Sequence, residues 1–378
     1  MPAKLPHLEM RPQRDIAELV EAVPLLTPPD CDQRLVKLGY RGQQHGRRAA
    51  AVLAYRHVRR LRRLHREGAQ PDTLGPRENY LFIGPTGCGK TFLVELLFRD
   101  ILRVPTVTID ITQYSETGYV GDDVNMILSR LFEVADQNLD WAACGVVCID
   151  EFDKLASSRS NTRFAGEGTS KDVSGYGVQR GLLALLSGGE ASFPADFGYA
   201  HMSPKLAMPL GNVSFIACGA FSGLKATADL LAATERIGFG RNPPPITPEA
   251  IAVQLDDSVL EQTAAFARYG FLPELVGRFS RLVAFTPLDA PTLRTILSDG
   301  VLRDYQREFT QEGIELVVDD DVLDHVVARA LKRELGARGL RAALVPYLEE
   351  AAYSHFGVAS AGRVRLRVAA GTIVVAGE

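Results

Sequence analysis

Short apolar runs rich in β-branched residues recur between residues 80 and 287, and helical patterns lie between them. Buried strands that alternate with helices are typical of a parallel sheet covered on both faces, because parallel neighbours need long crossover connections. The pattern therefore predicts an α/β fold with a five-stranded parallel sheet. The predicted strands are Leu81–Ile83, Thr106–Ile109, Val146–Ile149, Val213–Cys218 and Leu282–Phe285.

An amphipathic helix is predicted ahead of the first strand, from Gln43 to Leu64. Its apolar residues recur at helical spacing, whereas arginines occupy the other faces. We interpret the basic faces as solvated, with contact to nucleic acid or to a neighbouring acidic subunit as the alternatives.

The pattern changes beyond Pro287. Apolar residues there recur at helical spacing in three segments, Pro291–Tyr305, Val322–Leu335 and Leu340–Tyr353. Apolar and basic residues then alternate from Arg363 to Val368, which predicts a hairpin with one solvent-exposed face. Residues 1–35 are rich in proline and charge and predict an N-terminal arm. The predicted organisation is this arm, a large α/β domain over 36–287, and a small mainly helical C-terminal domain over 288–378.

Composition narrows the class of protein only slightly. The 378 residues carry a net charge of −4, which argues against a general nucleic-acid-binding surface. No apolar run is long enough to span a bilayer, and the scattered cysteines fit reduced thiols, so we expect a cytoplasmic protein without a membrane segment. Cys144 and Cys148 lie about 13 Å apart along a strand, and no second pair completes a zinc site.

A glycine-rich loop follows the first predicted strand and opens a helix. It has the complete G-x-x-x-x-G-K-[ST] spacing of a phosphate-binding loop. Its backbone N–H groups can point at phosphates, Lys90 can reach the β and γ oxygens, and the Thr91 hydroxyl can hold Mg²⁺. The loop therefore predicts a nucleoside triphosphate site, formed by Gly84, Pro85, Thr86, Gly87, Cys88, Gly89, Lys90, Thr91 and the adjoining Phe92.

Two carboxylates end the third predicted strand, Gly145-Val146-Val147-Cys148-Ile149-Asp150-Glu151. Ligands bind at the carboxyl ends of strands in open parallel sheets, so both acids are expected beside the loop. Asp150 is predicted to bind Mg²⁺, and Glu151 is predicted to orient and polarise the attacking water. The two motifs together predict hydrolysis of the triphosphate.

Several segments, in order along residues 36–378, resemble those of the ClpX family of AAA+ unfoldases. Several of them are weak alone, but their order and joint presence are specific. They are Gly84–Thr91, Gly118–Gly121, Ile149–Lys154, Asp172–Gly175, Ile237–Gly240, Pro273–Arg278 and Gly336–Arg341.

The resemblance implies an ATP- and Mg²⁺-dependent ring of six identical subunits, with ATP bound between neighbours. Arg278 matches the arginine finger that acts on the neighbour's nucleotide. Arg338 matches the second sensor, and we expect Arg341, one turn on, to face solvent instead.

The resemblance also implies a polypeptide substrate and a peptidase partner. Tyr119, followed by Val120, matches the pore-loop aromatic that grips substrate, with a buried loop tyrosine as the alternative. Ile237-Gly238-Phe239 matches the loop that docks on the ClpP peptidase, with a Phe239 that folds into the core as the alternative.

Three departures from the family pattern stand out. The family's zinc-binding N-terminal domain is expected to be missing, because residues 1–35 contain only Cys31. Phe197–Met202 stands where the family has a basic pore-entrance loop, which puts recognition of the usual degradation tags in doubt. Arg41 replaces an aliphatic residue near the adenine, so its side chain must turn outward or stack on the base.

The leading hypothesis is an ATP-dependent protein unfoldase that feeds unfolded or tagged proteins to a ClpP-type peptidase and is not itself a peptidase. A remodelling chaperone that works without a protease is the alternative. A nucleic-acid motor is disfavoured by Tyr119 and by the overall acidity, and a pure binding module by the intact Lys90, Asp150, Glu151 and Arg278.

Overall fold

The computed structural model describes residues 14–114, 123–156, 174–195, 204–228, 263–357 and 362–377. In the first part of the chain the strands are β1 (Tyr80–Ile83), β2 (Thr106–Asp110), β3 (Val146–Asp150), β4 (Glu190–Pro194), β5 (Lys205–Pro209), β6 (Ser214–Gly219) and β7 (Arg281–Ala284). Five of them form one parallel sheet in the order β2-β3-β6-β1-β7. The predicted α/β fold with a five-stranded parallel sheet is confirmed, and each strand begins and ends within one residue of its predicted position.

Helices cover both faces of this sheet. They are α1 (Ile16–Ala22), α2 (Pro28–Lys37), α3 (Gln44–His65), α4 (Lys90–Val94, continued by a π-helical segment Glu95–Ile101), α5 (Met126–Val134), α6 (Leu139–Ala142), α7 (Ser174–Leu186), α8 (Thr263–Tyr269) and α9 (Pro273–Val276). Alternate strand residues join different cores, as strand geometry requires. Tyr80 and Phe82 pack with α2, α3 and α4, whereas Leu81 and Ile83 pack with α5 and α7.

The N-terminal segment differs from the predicted arm. Within residues 14–35, α1 and the first part of α2 pack on the body of the protein, with Val20 and Leu35 fully buried. Asp15 and Thr27 cap the two helices by accepting hydrogen bonds from backbone N–H groups. Of the prolines that predicted an arm, Pro24 lies between the two short helices, and Pro28 and Pro29 stand in the first turn of α2, where a missing N–H costs no helical hydrogen bond.

Beyond β7 the chain forms α10 (Ala290–Ile296, continued by a π-helical segment Leu297–Leu302), α11 (Arg303–Gln311), β8 (Glu315–Val318), α12 (Asp320–Lys332), α13 (Gly336–His355), β9 (Arg363–Ala369) and β10 (Thr372–Gly377). The predicted hairpin is β9 and β10, which pair antiparallel. The sequence did not predict β8, which pairs parallel to β9, or the antiparallel pair β4–β5. Within the described ranges, no helix combines the length and the apolar character needed to cross a membrane.

His57 on α3 is buried between two strand termini. Its Nε2 lies 3.0 Å from the carbonyl oxygen of Cys144, and its Nδ1 lies 3.0 Å from the hydroxyl of Ser214. A carbonyl oxygen only accepts, so Nε2 carries the proton and Nδ1 accepts from Ser214. Burial outweighs the hydrogen bond to Cys144 and lowers the pKa of His57 to about 4.

This buried imidazole predicts an acid-sensitive fold. The unfolded chain binds the His57 proton below about pH 6.5, whereas the folded chain binds it only below about pH 4. The free energy of unfolding should therefore fall by about 3 kcal/mol as the pH drops through this window. Urea unfolding of the wild type and of His57→Gln at several pH values measures it, and equal slopes for both proteins would contradict the prediction.

Candidate active site

The glycine-rich loop lies between β1 and α4, as predicted, and its backbone is closely packed. A Cβ atom at Gly84 would lie 2.3 Å from the carbonyl oxygen of Phe285, and one at Gly87 would lie 2.3 Å from that of Leu335. Gly87 also has a φ of +75°, which side chains rarely tolerate. Glycine is therefore required at both positions, and the loop keeps the tight curl that a phosphate needs.

Lys90 is buried at the centre of this curl. Its Nζ donates hydrogen bonds to the carbonyl oxygens of Gly84 at 2.6 Å and Pro85 at 2.9 Å. The thiol of Cys88 lies 3.8 Å from the same Nζ. Burial raises the pKa of Cys88 more than the Lys90 charge lowers it, so the thiol stays neutral and is a packing group. The ammonium is thus held where phosphate oxygens would meet it.

The two predicted Mg²⁺ ligands are brought together. The hydroxyl of Thr91 donates a hydrogen bond of 2.8 Å to Oδ2 of Asp150, across the space between the start of α4 and the end of β3. Hydroxyl, carboxylate and phosphate oxygens are the donors that Mg²⁺ prefers. The pair therefore fits the ion that the sequence implies.

Glu151 follows at a sharp turn. Its φ of +55° is uncommon for a residue other than glycine, and its N–H donates to Oδ1 of Asp150 at 2.9 Å. Glu151 is half-buried and leaves the same edge of the sheet as the glycine-rich loop. The structure thus places Lys90, Thr91, Asp150 and Glu151 together at the carboxyl ends of the strands.

Arg278 lies at the opposite end of the strands, where β1 and β7 begin. Its carbonyl oxygen accepts a hydrogen bond from Nδ2 of Asn79, which precedes β1, and β7 begins beside Tyr80. Gly84 lies five residues beyond Asn79, about 16 Å along the strand. The exposed Arg278 side chain is therefore remote from the glycine-rich loop of its own chain.

Arg338 lies beside that loop. It stands in the first turn of α13, where the N–H of Ala337 donates to the carbonyl oxygen of Gly87 at 3.0 Å. A cation in the first turn opposes the helix dipole, so Arg338 does not serve the stability of the helix. Arg341 is exposed, as expected, and its guanidinium also lies over the ring of Tyr305, 5.8 Å from its centroid.

Comparison with known proteins decides the family. A model of the AAA domain (Cdc48 subfamily) matches residues 76–282, and a model of the C-terminal D2-small domain of the ClpB protein matches residues 288–355. The chain is 36% identical over 344 residues to an ATP-dependent Clp protease ATP-binding subunit, ClpX 3, of Methylococcus capsulatus, covering 87% of this chain and 76% of the relative. It is 35% identical to the ClpX subunits of Bacteroides thetaiotaomicron, over 79% of this chain and 70% of the relative, and of Azotobacter vinelandii, over 83% and 71%.

The chain belongs to the ClpX family of AAA+ ATPases. It is accordingly an ATPase and binds ATP, and the glycine-rich loop with its neighbouring carboxylates supplies the geometry that such an activity needs. The relatives are named as ATP-binding subunits, which agrees with an ATPase that is not itself a peptidase.

Two buried residues that lie near the ClpX-family site in the fold or the sequence were not predicted as part of it. Tyr40 is buried, its hydroxyl donates to the carbonyl oxygen of Gly89 at 3.1 Å, and its ring stacks on Phe92 with centroids 5.9 Å apart. Asp153 is also buried, and its Oδ1 accepts a 2.9 Å hydrogen bond from the N–H of Ala220 at the end of β6. The sequence signal for Asp153 is a third acid, two residues after the Asp150-Glu151 pair.

Asp153 is expected to stabilise the turn that carries Glu151. Asp153→Ala leaves the partly buried N–H of Ala220 without its acceptor, which should lower the free energy of unfolding by about 1 kcal/mol. Asp153→Asn keeps an acceptor oxygen and serves as the matched control. Urea unfolding and the kcat for ATP hydrolysis measure both variants, and an alanine variant as stable and as active as the asparagine variant would contradict this role.

Five predicted site residues lie outside the described residues of this ClpX-family chain: Tyr119, Val120, Ile237, Gly238 and Phe239. Their roles in substrate gripping and peptidase docking remain predictions from the sequence.

Proposed function

We propose that this chain is an ATP-dependent protein unfoldase that threads polypeptides through the pore of a ring and delivers them to a ClpP-type peptidase. One observation carries the proposal: Thr91, Asp150 and Glu151 lie at the carboxyl ends of the strands, whereas Arg278 lies at their amino-terminal ends. A hydrolysis site that includes an arginine finger can then be completed only by a second subunit.

Residues of one chain supply most of the site. Lys90 would hold the β and γ phosphate oxygens, and Thr91 and Asp150 would hold Mg²⁺, whose charge, when bound, offsets the charge of the phosphates. Glu151 would orient a water molecule and accept its proton during attack.

Other subunits would supply the rest. An exposed guanidinium such as that of Arg278 suits the stabilisation of charge on a neighbour's γ-phosphate. Head-to-tail contacts of this kind form a ring when the rotation between neighbours closes, and we propose such a ring, a hexamer of identical chains.

Coupling to the C-terminal region would run through α13. Arg338 would contact the phosphates, and the hydrogen bond from Ala337 to Gly87 already joins the helix to the glycine-rich loop. A change of nucleotide could therefore move the C-terminal helices relative to the sheet.

The proposed output rests on the sequence resemblance. Tyr119 and Val120 would grip the polypeptide, and Ile237-Gly238-Phe239 would dock on the peptidase. A bulky ring between flexible glycines can grip many side chains without selecting a sequence.

A fluorescent protein with an unstructured tail tests this function. The chain should abolish its fluorescence only with ATP, and degradation should additionally need the peptidase, with Glu151→Gln as the inactive control. Fluorescence that persists in the presence of active ATP hydrolysis would contradict the unfoldase proposal.

Pull-down with the peptidase separates the proposed function from a protease-independent chaperone. We expect binding at micromolar concentration that is lost in Phe239→Ala. Unfolding without any peptidase binding would favour the chaperone.

A further inference from the structure

A strap of residues 38–43 joins α2 to α3 and lies against the nucleotide loop. Its Tyr40 contacts the loop through the hydrogen bond to Gly89 and the stack on Phe92. A shift of the strap would therefore displace Gly89 and Phe92, the residues on either side of Lys90 and Thr91.

The strap also contacts the chain where it leaves the sheet for α10. The side-chain amide of Gln43 makes two hydrogen bonds to the backbone of Thr286, donating to its carbonyl oxygen at 2.6 Å and accepting from its N–H at 3.0 Å. Gly42 packs so closely that a Cβ atom there would lie 3.2 Å from Leu288 and 3.3 Å from Thr292. The strap is thus held between the loop and the start of the C-terminal region.

Arg41 links the strap to the helices beyond. Its Nη1 donates to the carbonyl oxygens of Val36 at 2.6 Å and Tyr40 at 3.3 Å, and its Nη2 donates to Oδ2 of Asp299 at 3.0 Å. Asp299 lies in the π-helical segment after α10. From the sequence, Arg41 had to turn outward or stack on the base, and the structure instead shows the guanidinium fixed on Asp299.

We propose that Arg41 and Asp299 form a clasp that positions the strap, and through Tyr40 the nucleotide loop, against the C-terminal helices. The C-terminal region already contacts the other side of the loop, where Ala337 donates to Gly87. The ion pair thus adds a second connection between the C-terminal region and the nucleotide loop. Nucleotide affinity should therefore depend on an ion pair that is distant in sequence from the loop. The inference rests on the proposed function, because it concerns the same nucleotide site.

Partial exposure sets the size of the effect. The side chains of Arg41 and Asp299 are 25% and 40% exposed, so solvent and salt weaken their attraction. Loss of the pair should weaken nucleotide binding by about two- to fivefold, the range of a partly exposed ion pair. Wild-type affinity should also fall more steeply with added NaCl than the affinity of a variant without the pair.

A double-mutant cycle on the full chain tests the clasp. The dissociation constant of a fluorescent ATP analogue is measured for the wild type, Arg41→Ala, Asp299→Ala, the double variant and the charge swap Arg41→Asp with Asp299→Arg. Asp299→Asn repeats the measurement with little change in side-chain size, in case an alanine variant does not fold. Arg294→Ala is the matched control, because its ion pairs with Asp320 and Asp324 lie within the C-terminal region.

The clasp predicts a loss in Asp299→Ala, and a loss at least as large in Arg41→Ala, which also removes the hydrogen bonds to Val36 and Tyr40. It predicts no loss in the double variant beyond that of Arg41→Ala, partial recovery in the swap and no loss in the control. Unchanged affinities, or losses that simply add, would overturn it while leaving the proposed function intact. A wild-type chain that binds no nucleotide would instead contradict the proposed function, and this inference with it.

Discussion

Replacing Glu151 with Gln should lower steady-state ATP hydrolysis by roughly 10²–10⁴-fold, the contribution of a positioned general base, and leave ATP affinity unchanged. The amide cannot accept the proton of the attacking water. The groups that we propose to hold the phosphates, above all Lys90, are untouched, because the hydrogen bond from Glu151 to Asp150 comes from the backbone N–H of Glu151. Phosphate release and the affinity for a fluorescent ATP analogue measure the two quantities separately.

Lys90→Ala is the matched comparison, because it should lose binding as well as turnover. Its ammonium occupies the centre of the loop, held by the carbonyl oxygens of Gly84 and Pro85. Hydrolysis that survives in Glu151→Gln would show that another residue activates the water.

Replacing Arg278 with Ala should lower hydrolysis by roughly 10³–10⁵-fold, the contribution of an arginine finger, without weakening ATP binding to the chain's own loop. The reason is topological: Arg278 lies beside Asn79, at the opposite end of β1 from Gly84. Arg268→Ala is the control, since Arg268 is an exposed arginine on the nearby α8.

Wild-type turnover in Arg278→Ala would exclude it as the finger. Weakened ATP binding to the chain's own loop, measured at a protein concentration where the chain is monomeric, would contradict the topological reason. Both results must be read against Arg268→Ala, which should behave as the wild type.

Local patterns accounted for most of the fold and for the centre of the site. The strands of the large sheet are short, continuous apolar runs because both faces of the sheet are covered, so they can be read from a few neighbouring residues. The glycine-rich loop and the Asp150-Glu151 pair are likewise contiguous. Parallel-sheet geometry alone then brings the carboxyl ends of β1 and β3 to the same side of the sheet, and with them the two motifs. The hydrogen bond between Thr91 and Asp150 confirms this arrangement.

Contacts between distant residues could not be predicted in this way. Asp153 looks like a surface acid in the sequence, and its hydrogen bond with Ala220, at the end of β6, could not be predicted from neighbouring residues. Tyr40 and Arg41 belong to a polar connection whose partners, Gly89 and Asp299, lie 49 and 258 residues away. The pairing of β8 with β9 could not be predicted, because the two strands are far apart in the sequence and meet only in the fold.

Mixing two inactive variants tests most directly whether each site is completed by a second subunit. In a mixed ring, an Arg278→Ala subunit keeps its own Glu151 and can receive Arg278 from a Glu151→Gln neighbour. The ATPase rate of the mixture should therefore exceed the summed rates of the two variants alone, with energy transfer between labelled subunits showing that mixed rings form. A mixture that forms mixed rings but shows only the summed rates would contradict a shared site.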